Sequence, residues 1–220
     1  YNQAFVVAAQ EDVGSAAALL DESLDLFRRA GDEAGVARVL AVLVIRDAEA
    51  GNWEAVIAGL EEAAMILRRL GDRYQLANAL VWLAVAYARS GRPEDGHAAA
   101  LESLDLFREA ENPTGIALAL LCLSFLATWG GRHEDAIRLA AASEVLDERA
   151  GATRTTGFAG LLEGDPAEEA RGHLAEDVAR RAWEEGRSIS VDEVLALARP
   201  EAGEETGDPT IIDGSGRTKR

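Results

Sequence analysis

The sequence predicts an all-α fold, an α-α superhelix of about four stacked helix pairs followed by closing helices, on three observations. The chain repeats itself every 40 residues: Gly31-Asp32 returns as Gly71-Asp72 and, altered, as Glu111-Asn112, while Glu11, Gly51, Gly91 and Gly131 mark the half-way points. On both sides of each central glycine apolar residues recur three and four apart, which is helical spacing. Only Pro93 and Pro113 precede residue 165, and alanine and leucine dominate, as a mostly helical chain requires. A period between 20 and 50 residues signals an array in which each unit buries its apolar face against its neighbours.

The repeats are expected over residues 1–150. In the best-formed unit the first helix should run from about Tyr74 to Arg89 and end at Gly91. The second should open at Pro93-Glu94-Asp95, with proline in the first turn and acids at the positive helix end, and reach about Ala110. Arginines 28, 29, 68, 69 and 108 fall in last turns, where cations complement the negative helix end. Small residues recur where paired helices must approach: Ala84 and Ser124; Ala16, Gly96 and Ala136; Ser23, Ala63, Ser103 and Ser143. After Gly151 the period stops, and residues 151–200 read as a helical cap. One helix is expected from Pro166 to about Glu185, ended by Gly186. A short one follows, opened by the capping box Ser190-Val191-Asp192-Glu193 and closed before Pro200. Residues 201–220 read as a flexible tail or linker.

The small-residue pattern resembles the tetratricopeptide repeat, and the third unit carries it as Leu83-Ala84, Tyr87, Gly91, Gly96 and Ser103. The aromatic position holds Asp47 and Ala127 in other units, and the period exceeds the usual 34. The closing phrase Trp183-Glu184-Glu185-Gly186-Arg187-Ser188-Ile189-Ser190-Val191-Asp192-Glu193 resembles the end of the repeat region in large bacterial signalling ATPases and ATP-binding transcriptional regulators of the LuxR type. That resemblance implies a sensor or interaction module of a multidomain regulator. The chain has no Gly-rich loop ending in Gly-Lys-Ser or Gly-Lys-Thr and no helix-turn-helix after residue 200, so neither ATP hydrolysis nor DNA binding carries over.

Lysine and arginine number 22 against 39 aspartates and glutamates, a net charge of −17. This argues against nucleic-acid or anionic-membrane binding through the bulk surface. Cys122 is a lone cysteine in an apolar helical run, which leaves no disulfide framework and reads as a core residue. The longest apolar stretch, Ile116 to Ala127, is shorter than the ~20 residues that span a bilayer. A cytoplasmic setting is the default expectation, and the start without methionine suggests a piece of something longer.

No residue pattern points to chemistry. His97, His133 and His173 lack the i, i+4 partners of a helical metal site and read as surface or cap residues. The acids Asp21, Glu22, Glu61, Glu62 and Glu102 recur as solvated helix faces do. No metal, cofactor or catalytic residue is expected. If first helices line the concave side, the inner series is Phe5, Ile45, Val85 and Phe125 with Tyr1, Ala41, Val81 and Leu121, punctuated by Arg38, Asn78, Arg89 and Trp129. Two readings stay open for this stripe: stacking buries it as ordinary core, or it forms an apolar groove. The groove would serve a non-catalytic protein-binding or signal-relay module, holding a peptide or helix, or a domain of its own parent chain, with Phe5, Ile45, Val85 and Phe125 as anchors and Arg38 and Arg89 setting orientation. The alternative is a sensor holding a small apolar ligand in the same channel. A homodimer is a further expectation of an exposed apolar groove.

Overall fold

The computed structural model describes residues 13–151 and 164–199, the side chains of residues 13–17, 45 and 191 excepted. Seven helices of similar length come first: α1 (Val13–Ala30), α2 (Glu33–Glu49), α3 (Trp53–Leu70), α4 (Arg73–Arg89), α5 (Pro93–Glu109), α6 (Pro113–Trp129) and α7 (His133–Ala150). Three shorter ones follow: α8 (Pro166–Arg171), α9 (Glu176–Ser188) and α10 (Val191–Ala198). Among the described residues there is no strand, and no helix is long and apolar enough to cross a membrane. The expected tail, 201–220, lies outside the described residues, as do Tyr1 and Phe5.

The Gly-Asp repeat divides into two local tasks. Gly31, Gly51, Gly71, Gly91, Gly131 and Gly151 all take a left-handed φ between 64° and 82°, which a Cβ disfavours. Behind them the next N–H reaches back five residues, as from Asp32 to the Phe27 carbonyl and from Asp72 to that of Leu67. This satisfies carbonyls the helix end leaves open. The following residue then caps the next helix: Asp32, Asp72 and Asn112 accept from the backbone N–H of Gly35, Gln75 and Gly115. Two signals in adjacent residues thus join a sharp stop to a capped start.

Packing follows chain order. Each second helix packs on the first helix of its own unit, α3 on α2, α5 on α4 and α7 on α6, and the next first helix packs behind it. Close approach needs the small residues found there. A Cβ at Gly96 would stand 2.6 Å from the Ala84 carbonyl oxygen. Ser103 and Ser143 donate to the buried carbonyls of Ala77 and Ala117, both at 2.8 Å, and Ser124 to that of Ala136 at 2.6 Å. First helices also touch one another, α4 against α6, whereas second helices are joined across the outer side by bidentate pairs, Arg28 with Glu62 and Arg68 with Glu102. The first helices therefore form the inner layer. Arg28 and Arg68 thus do more than complement helix ends, and Glu62 and Glu102 among the repeating acids are their partners.

The closing segment differs from its expected single helix. The chain breaks after Arg171 and restarts at Glu176, because Gly172 and the turn through Ala175 let α8 and α9 meet α7 separately. Gly186 sits inside α9 instead of ending it. An added Cβ there would lie 2.4 Å from the Arg138 carbonyl oxygen, so the glycine serves close helix approach. Arg138–Glu185 and Arg187 with Glu144 and Glu148 hold the same contact. The Ser190–Glu193 capping box opens α10 as expected.

Candidate functional site

The inner layer separates the sequence-predicted stripe into two sets. Val81, Val85, Leu121 and Phe125 are interior residues, none more than 5 % exposed. Their positions face the seam between consecutive first helices: Cys122 of α6 lies with its Sγ 3.8 Å from the Val81 carbonyl oxygen. They therefore do not line an open groove, which corrects the anchor assignment for Val85 and Phe125. Phe5 and the side chain of Ile45 lie outside the described residues. Arg38, Ala41, Arg89 and Trp129 reach solvent, and Asn78 is half-buried. Asn78 donates to the Tyr74 carbonyl within its own helix, and Arg38 stands over the Phe27 ring, 4.0 Å from Asp32.

One group of these residues converges. Arg89 closes α4, and its guanidinium carbon lies 5.5 Å from the centroid of Trp53, at the start of α3, and 5.3 Å from that of Trp129, at the end of α6. Trp129 is 36 % exposed and leans on Phe125, with centroids 5.8 Å apart. Three successive units thus contribute aromatic, cation, aromatic along one edge of the inner layer. Rings over a guanidinium hold its plane while leaving its N–H edge available for hydrogen bonds. Most arginines of the described residues pair with a carboxylate; Arg89 forms no ion pair among them. Trp53 was absent from the predicted set. Its helix opens where the neighbouring units place Pro93 and His133, so the period alone did not mark it.

The surrounding surface is otherwise internally paired. The Tyr87 hydroxyl donates to Glu61 at 2.6 Å, and burial together with that carboxylate pushes it up to about 12. A shallow cleft of about 340 Å³ between α1 and α3 is lined by Phe27, Met65 and Ile66, and its charged residues bind one another, Arg28 to Glu62 and Arg69 to Glu33. Burial raises the Cys122 thiol to about 12, which makes it an inert core residue. The described residues bring together no three of His, Cys, Asp and Glu that could hold a metal. No family model matches the chain, and neither a curated protein nor a solved structure matches it significantly.

Proposed function

We propose that the chain is a non-catalytic binding module of the tetratricopeptide-like kind, part of a regulator, which takes an extended or helical polypeptide segment along the edge where its first helices end. The observation that carries this reading is Arg89, held between Trp53 and Trp129 without an ion pair among the described residues. A partner carboxylate or backbone carbonyl would complete the guanidinium edge, and an apolar side chain would lie on Trp129. Arg38 and Asn78 would set the segment's direction further along the same layer. A small-molecule sensor is less favoured, because the interior positions that were to form an apolar channel are filled by packing. A setting inside the cell and association with domains of a longer parent chain belong to the same proposal.

Selection of displayed random peptides on the full chain tests it. Acidic sequences with an apolar neighbour should be enriched. Their affinity should fall about 10- to 100-fold on Arg89→Ala, the range for one charge-assisted hydrogen-bonded contact. Selected peptides that bind the Arg89→Ala chain equally well would refute the site.

A further inference from the structure

The chain has three histidines, and all of them lie where the closing helices meet the repeats. His97, on α5, stands where the preceding and following units carry the buried Ile57 and Ile137. Its Nε2 is buried without a hydrogen-bond partner among the described residues, and the ring meets the backbone of Ala198 at the end of α10. His133 opens α7, and His173 lies between α8 and α9. Their rings stack with centroids 4.3 Å apart and planes 4° from parallel, and the Nδ1 of His133 is buried without a partner among the described residues. The outer face changes with this contact: Leu101 replaces the Asp21 and Glu61 of earlier units, and Ala142 replaces Glu22, Glu62 and Glu102. At these two positions the joint carries neutral side chains where earlier units carry acids, beside the ion pairs of Arg138 and Arg187.

We propose that this joint is an acid-sensitive latch: with the His97 and His133 imidazoles neutral the closing helices stay docked, and mild acidification releases α9 and α10 from the repeats while leaving the repeats folded.

The charges around each ring set the sign. His97 faces Arg132 from the α6–α7 turn, itself paired with Asp135; α10 adds Arg199, which is paired with Asp105, and α5 adds Glu94 one turn earlier. Burial is the largest influence and lowers its pKa, Arg132 acts in the same direction, and the backbone bond to Ala198 opposes both. His133 is lowered by burial and then by His173, against a smaller opposite effect of Glu169 from α8. Its neighbours Glu134 and Asp135 are held by Arg138. A depressed folded value means the released state takes up protons first. Docking is therefore complete above the ordinary histidine value of about 6.5 and weakens as pH falls below it.

Hydrogen exchange of the full chain at about pH 7.5 and about pH 5.5, corrected for intrinsic rates, reads the latch by region. Amides of α9 and α10 should lose protection about threefold or more at the lower pH, while those of α3 and α4 keep theirs. The double variant His97→Ile with His133→Pro borrows the residues of equivalent positions, Ile57 and Pro93, and should abolish the response. Unchanged protection in the unaltered chain, or the same loss in the variant, would overturn the proposal. Should the variant fail to fold, NMR titration of the imidazoles of the unaltered chain decides: His97 and His133 must titrate below the ordinary value, and a midpoint at or above it for both would overturn the latch.

Discussion

Glu111 is the one non-glycine with a positive φ among the described residues, at 49°, and it stands where the other six long helices are followed by a left-handed glycine. The left-handed conformation costs a Cβ-bearing residue roughly 1 kcal/mol, part of which glycine's greater unfolded-state freedom offsets. Glu111→Gly should therefore stabilise the chain by about 0.5 to 1 kcal/mol, read as a higher midpoint in urea at unchanged slope. A second residue-level rule couples positions across one turn. Phe27 faces Gly35 and Phe107 faces Gly115, where a Cβ would meet the rings at 2.4 Å and 2.2 Å; the middle unit has Leu67 with Gln75 instead. Phe107 is fully buried and cannot swing away. Gly115→Gln alone should cost about 2 kcal/mol by overpacking, and adding Phe107→Leu, the middle unit's own combination, should recover most of it. Equal losses in the single and double variants, measured by denaturation, would refute the coupling.

At the scale of elements, the order of charges in one ion pair reverses between two successive units. Glu33 of α2 pairs with Arg69 of α3, while at the equivalent place Arg73 of α4 pairs with Glu109 of α5. Both pairs are exposed, so each contributes well under about 1 kcal/mol, and their use lies in opposing a one-unit slip more than in stability. Arg73→Glu should destabilise by no more than about 1 kcal/mol, and Glu109→Arg added to it should restore the loss, as a double-mutant cycle would show. The contact of α9 with α7 is of another kind, because it rests on the missing side chain of Gly186 against the Arg138 backbone. Gly186→Leu should strip protection from α9 and α10 in hydrogen exchange while α2 to α5 keep theirs. These pairings were hidden in the sequence for a physical reason. Arg28 and Glu62 are 34 residues apart, and nothing in either residue's own helix distinguishes a bridging arginine from one that only complements a helix end. The break after Arg171 was equally hidden, since Ala167, Ala170, Val178 and Ala182 keep a helical spacing across it while tertiary packing decides where the chain turns.

For the whole molecule, the period made the helix pairs legible because each Gly-Asp carries two local signals, a left-handed stop and a cap, that act without knowledge of the rest of the chain. The inner surface was less legible. A first helix in a stack packs against its own partner, the preceding second helix and the next first helix, so three of its sides are apolar and composition does not show which faces solvent. Val85 and Phe125 belong to the seam, and Arg89 and Trp129, one turn further on in their helices, belong to the edge. Recognition at that edge is open to a direct measurement: titration of the full chain with a display-selected acidic peptide, followed through the indole N–H signals of its four tryptophans. Binding at the edge requires the Trp53 and Trp129 signals to shift together and saturate with the affinity, while Trp183, on α9 beneath Arg171, stays in place. Shifts confined to Trp183, or saturable binding that leaves Trp53 and Trp129 unmoved, would contradict it.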